Sequence, residues 1–194
     1  NIDDLTDSSS APKKNEAENS QIKKVLEDVT AAASENSEEK TLELVKKAYS
    51  DFHTYINHVY TRFVTHRELS LQQISESVDA FCNFVKANEQ YVLRFAQSAE
   101  EKSDKNFIVD HSIRTTVYAI AIGLHLKMPH DKLVELGVTA MLHEIGQIKL
   151  PPQLYITDRA LSKPERAQLS THPILGFNIV KENNFPLAIQ LGVL

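Results

Sequence analysis

The segment Met141-Leu142-His143-Glu144-Ile145-Gly146-Gln147-Ile148-Lys149-Leu150-Pro151-Pro152 puts an imidazole beside a carboxylate near the end of an apolar helix. Imidazole nitrogen and carboxylate oxygen together suit first-row divalent metals such as Mn, Fe or Zn. Adjacent side chains on a helix point about 100° apart, so His143 and Glu144 alone cannot complete a coordination sphere. Other elements must bring further donors, and the candidates are His111 upstream and His172 downstream. On spacing alone the simpler reading of each of these histidines is an ordinary half-buried, hydrogen-bonded residue, because a His–Glu dipeptide is short and common. Gly146 is read as loosening the backbone after the pair, and the two prolines as closing the segment. The other histidines, His53, His58, His66, His125 and His130, fall on polar helix faces or near turns and are read as solvated.

The elements that must position these donors read as helices throughout. Leu42, Val45, Tyr49, Phe52, Ile56, Val59 and Phe63 follow a strict 3-4-3-4-3-4 spacing, a narrow apolar seam suited to helix–helix packing. The seam looks too narrow for a helix buried on several sides. Ser70 with Gln73 reads as a capping box opening a second helix, on which Leu71, Ile74, Val78, Phe81 and Val85 repeat the heptad. The two make an antiparallel hairpin over 38–100, with seams that cover each other or a second copy; we expect intramolecular packing with a secondary homodimer contact. A helix from about Asn106 to Leu126 carries His111 near its start. Asp131 is a candidate cap for the next, where Leu133, Leu136, Ala140 and Met141 form the buried stripe leading to His143. Ser162 with Glu165 is a further capping box, and Pro173 fits the first position of the helix after His172. No segment alternates as a strand does. The fold class is all-α, a helical bundle.

The whole-chain properties narrow the function. The 194 residues, 42% hydrophobic, can bury a core. A net charge of −5 gives no support to binding of nucleic-acid polymers or anionic membranes. Apolar runs fall short of a membrane span, and the polar start is unlike a signal peptide. The lone cysteine, Cys82, cannot form an internal disulfide and reads as a small core residue; a cytoplasmic location fits. Residues 1–37 are polar and read as disordered or a linker, with a short helix allowed by Ile22, Val25, Val29 and Ala32 before an interruption at Ser34–Lys40. The absent initial methionine and the apolar last residues read as a piece of a longer protein.

From about Phe107 onward the segments "HSIRTTVYAIAIGLHL", "LVELGVTAMLHEIGQIKLPPQLY" and "LSKPERAQLSTHPILGFNIV" resemble, in order and separation, the HD-GYP branch of the HD phosphohydrolase superfamily. The resemblance implies a truncated HD domain over 101–194, with the hairpin as a lead-in. It also implies metal-dependent hydrolysis of the bacterial second messenger cyclic di-GMP. Carried over by position, His111 matches the first metal-binding histidine, and His143 and Glu144 the His-Asp pair that names the superfamily. His172 matches the histidine of the later His-Pro motif. Two divalent ions, Fe, Mn or similar, would then activate water for in-line attack on phosphorus, with His143 and Glu144 at the catalytic centre. Three positions depart from the family pattern. Glu144 is one methylene longer than the usual aspartate. Gln147 replaces a lysine beside the substrate phosphate, offering a hydrogen bond without positive charge. Phe107 stands where some members carry an extra glutamate ligand, so a third metal is not expected. The resemblance also places a His-His-Glu stretch, a Gly-Tyr-Pro motif and a later aspartate beyond Leu194, so residues 1–194 are expected to hold only part of the ligands and to lack activity. The rivals are a degenerate regulator that binds nucleotide or a partner protein without cleavage, and a structural helical adaptor. Glu144 and Gln147 favour the regulator; the three histidines count against it.

Overall fold

A computed structural model describes residues 23–24, 38–98, 107–157 and 159–194. The short helix read on Ile22, Val25, Val29 and Ala32, and most of the polar stretch 1–37, lie outside the described residues, as does Asn106. Among the described residues there is no strand, and helices follow one another along the chain: α1 (Glu38–His66), α2 (Leu71–Ser98), α3 (Phe107–His125), α4 (His130–Leu142), α5 (Lys163–Leu169), α6 (His172–Glu182) and α7 (Leu187–Val193). Two 3-10 turns, Ile145–Lys149 and Pro152–Leu154, separate α4 from α5. Glu38, Glu39 and Lys40, expected to belong to an interruption, form the first turn of α1, where their acidic pair suits the positive end of the helix.

The helices α1 and α2 form the expected hairpin. Ser70 accepts the Gln73 N–H at the start of α2, as an N-cap should, while Gln73 Oε1 accepts from Arg62 of α1. Phe52 stacks on Phe81 with ring centroids 3.8 Å apart, and Tyr49 meets Phe95 edge-on. The narrow-seam expectation is corrected here. Ala48, Tyr55 and Tyr60 are buried on α1 beside the seam residues, because α1 packs on α3 and the first 3-10 turn as well as on α2. Of the seam, Leu42 alone is substantially exposed, so these residues are covered within the chain and leave little apolar surface for a dimer contact.

Buried residues of the hairpin, α3, α4, α6 and α7 belong to one continuous core that includes Phe52, Phe81, Ile113, Val138, Ile179 and Val193. Cys82 lies within it, its thiol directed at the Leu133 carbonyl and its pKa pushed up to about 12 by burial, an inert packing residue. The α2 backbone kinks at Asn88, whose buried amide donates to the Phe84 carbonyl. The helix ends depend on αL residues that are not glycine. Lys127 and Asn184 adopt positive φ, and the following amides, of Met128 and Phe185, reach back to the Gly123 and Val180 carbonyls in Schellman closures. Two expected caps shift. Pro129, not Asp131, precedes the first residue of α4 and no side chain caps it, whereas Thr171 precedes α6 and Pro173 is its second residue. The Ser162–Glu165 capping box is complete. No described helix is long and apolar enough to cross a membrane.

Candidate metal centre

The site is assembled at helix ends. His143 directly follows α4, where the last carbonyls of the helix have no amide partner from further along. Its Nδ1 lies 2.7 Å from the Ala140 carbonyl oxygen. A carbonyl only accepts, so Nδ1 carries the proton and Nε2 keeps a lone pair turned outward. His172, at the start of α6, repeats the device: its Nδ1 lies 2.8 Å from the carbonyl of Leu169, the last residue of α5. A histidine oriented by a backbone carbonyl through one nitrogen and presenting the other is the arrangement typical of metal-binding histidines.

His111, on the first turn of α3 beyond Phe107, brings its Nε2 to 3.1 Å from His143 Nε2. Phe107 stacks along the His111 ring, with centroids 6.1 Å apart and planes 11° from parallel. Glu144 joins the three histidines. Its Oε1 is 3.5 Å from His111 Nε2 and 3.4 Å from His143 Nε2, and its Oε2 is 3.3 Å from His172 Nε2. The two carboxylate oxygens therefore serve different histidines. Gln147, buried in the 3-10 turn, donates its amide to the same Oε2, and its own Oε1 has no protein partner. All five residues singled out by sequence thus meet in one place, although His172 reaches only the second oxygen and lies outside the compact group formed by His111, His143 and Glu144.

The approach of His172 depends on Gly146. A Cβ on Gly146 would stand 2.0 Å from the His172 carbonyl oxygen and 2.6 Å from the Gly176 nitrogen. The 3-10 turn and α6 touch backbone to backbone here. Gly146 has no positive φ, so its role is close approach and not the loosening expected from sequence.

Electrostatics favour an ionised Glu144 carboxylate. Burial pushes the Glu144 carboxyl up, but the neighbouring histidines, His143 first and then His172 and His111, outweigh it and hold the group below its ordinary range. His111 is held below its ordinary value by burial first and by His143 second. The donors fit a divalent ion. Two ligands each about 2.1 Å from a first-row cation subtend roughly 95–110° when their atoms lie at these separations, within the range such ions accept.

An HD-domain family model matches residues 96–194. The chain belongs to the HD-domain family. The cyclic di-GMP phosphodiesterase PdeB of Borreliella burgdorferi is 29% identical over 93 residues, which cover 48% of this chain and 24% of that protein. The matched part thus spans about a quarter of the relative's length. No solved structure matches the chain significantly.

Sequence reasoning missed the residues that hold the site from outside. Tyr60 of α1 donates its hydroxyl to the Met141 carbonyl at 2.8 Å and meets Ser112 Oγ at 3.0 Å. His53, read as solvated, lies 2.7 Å from Asp110 next to His111, while His125 and His130, exposed as expected, pair with Glu89 and Asp79 of α2 away from the site. A histidine on a polar face gives no sign of a carboxylate supplied by another helix. Tyr60 carried a weak signal: it flanks the apolar seam and stands seven residues, two helical turns, after His53.

Proposed function

We propose that this chain forms part of an HD-GYP-type phosphodiesterase acting on cyclic di-GMP, with His111, His143, Glu144 and His172 as ligands to two divalent ions, Fe, Mn or similar. The observation that carries the reading is the Glu144 carboxylate, which turns one oxygen to His111 and His143 and the other to His172. A carboxylate so placed suits bridging two cations. The substrate class rests on the named activity of the Borreliella relative.

Divalent ions held there supply Lewis acidity toward a phosphoryl oxygen and make water acidic enough to attack at neutral pH. The chain's own residues prepare the site. His143 and His172 are locked in the tautomer that presents Nε2, and Glu144 stays ionised despite burial. Gln147 orients the second carboxylate oxygen, and Phe107 covers one side of His111. With no lysine at position 147, positive charge toward the phosphate comes from the metals and from groups outside these five residues.

The second reading is a regulator that binds the nucleotide without cleaving it. It is favoured by Gln147, whose amide occupies Glu144 Oε2, an oxygen the catalytic reading assigns to a cation. The two readings part in one experiment. The intact protein, reconstituted with Mn, is mixed with cyclic di-GMP, and product is separated chromatographically while binding is followed by calorimetry. The catalytic reading expects a linear dinucleotide, abolished by Glu144→Ala; binding without product selects the regulator. Failure of the wild-type chain to take up any divalent ion removes both metal roles.

A further inference from the structure

One buried hydroxyl of the hairpin bridges the two helices that carry His111 and His143. Tyr60 is 4% exposed, and Ser112 is fully buried. The Tyr60 hydroxyl has one proton, directed to the Met141 carbonyl, so the 3.0 Å contact with Ser112 requires Ser112 Oγ to donate. The result is a directed chain from Ser112 of α3, through Tyr60 of α1, to the penultimate residue of α4. Ser112 follows His111, and Met141 precedes His143 by two residues. Thr116 in turn donates to the Ser112 carbonyl, fixing that side of α3. One face of α1 also holds His53 against Asp110, the residue before His111. The hairpin therefore grips α3 on both sides of His111.

The end of α4 gives this grip its significance. Two of its terminal carbonyls are answered by side chains, Ala140 by the ring of His143 and Met141 by Tyr60. These two bonds hold the turn on which His143 changes direction. His172 belongs to the other half of the site, held by the end of α5 and the Gly146–Gly176 contact.

We infer that Tyr60 is a positioning residue that sets His111 and His143 relative to each other, so that loss of its hydroxyl alters the donor pair while leaving His172 in place. The consequence for metal affinity rests on the metal-site reading above; the consequence for ring position does not. Burial pushes the Tyr60 hydroxyl well above the ordinary phenol range, so it remains a donor across the accessible pH range.

The test uses Tyr60→Phe in the full 194-residue chain, which deletes the hydroxyl and keeps the ring. Imidazole nitrogen and carbon resonances are compared in the metal-free protein, with His172 as internal reference. The expected result is displacement of the His111 and His143 signals with His172 unmoved, and Ser112→Ala displacing His111 in the same sense. Should Tyr60→Phe fail to fold, Ser112→Ala carries the comparison alone. Unchanged His111 and His143 signals overturn the inference, as does equal movement of all three rings, which marks general loosening. In parallel, Co binding is followed by its visible absorption. The expected loss is about tenfold in affinity, the size found when an outer-shell partner of a metal-bound histidine is removed. A wild-type chain that binds no Co refutes the metal-site reading while the ring measurement still decides the role of Tyr60.

Discussion

Gly146→Ala adds one methyl group at the point where the 3-10 turn meets α6. The new Cβ would lie 2.0 Å from the His172 carbonyl oxygen, 2.6 Å from the Gly176 nitrogen and 2.9 Å from the His172 carbonyl carbon. All three are backbone atoms, so no side chain can rotate away. Bringing the shortest contact to 3.0 Å requires the elements to separate by about 1 Å. The His172 and Glu144 donor atoms, 3.3 Å apart, then move out of register as the elements separate. Overpacking of this kind costs about 1–3 kcal/mol. At about 2–4 °C per kcal/mol for a chain of this size, the midpoint should fall by about 2–12 °C. The opposing effect, reduced entropy of the unfolded chain on replacing glycine by alanine, is only about 0.4–1 kcal/mol. Destabilisation should therefore win.

The comparison with Gly176→Ala sharpens the argument. There the added atom meets Val193 Cγ1 at 2.9 Å, a side chain able to shift, and alanine favours the helix by about 0.5–1 kcal/mol. Gly176→Ala should stay near neutral. Thermal unfolding by circular dichroism and a Mn titration would be run on both variants. A Gly146→Ala midpoint equal to or above wild type would refute the close-approach argument, and unchanged Mn affinity would show that His172 is not positioned by it.

Glu144→Gln preserves size and removes the charge shared among the three histidines, so divalent affinity should fall by about tenfold or more with helical content retained; equal affinity in a calorimetric titration would remove Glu144 from the ligand set. Acid should destabilise the chelator-treated protein in two stages. His111 is held below its ordinary 6.5 by burial and then by His143, so the unfolded chain takes up that proton first and stability declines as pH drops through 6.5. Glu144, held below its ordinary 4.5, contributes stability above that value, which is lost as pH falls through its lower folded value. A melting temperature flat from about pH 8 to about pH 4 would contradict the His111 assignment. Phe52→Ala removes a fully buried ring stacked on Phe81 and should cost about 3–5 kcal/mol in urea unfolding, whereas a loss under about 1 kcal/mol would mean that the hairpin contributes little to the core.

The sequence made the helices legible wherever one face was apolar at regular spacing. The two seams, the stripe leading to His143 and the Ser162–Glu165 cap all depend on neighbours within a few residues. The site was legible only in part. His143 and Glu144 stand together in the chain, but their convergence with His111 and His172 is a long-range fact that spacing could not give and that family resemblance supplied. Contacts between distant segments stayed hidden: His53 with Asp110, His130 with Asp79, Tyr60 with Met141. Gly146 was misread for the same reason, because its partner is the backbone of a helix further along. The helix ends at Arg67, Lys127 and Asn184 left no glycine signal, since these residues take positive φ themselves.

The shared core bears on where this protein begins to be a protein. The recognisable family match starts at residue 96, a point inside α2, near the end of the hairpin. A Cβ added to Gly137 of α4 would touch both Val78 of the hairpin and Ile120 of α3, which shows how tightly the three helices interlock. Cut at the family boundary, the matched portion would lose the covering of Ile113, Val117 and Val138, and so its solubility. The boundary of the family match is thus not a boundary of the core: the hairpin and the matched helices are one folding unit.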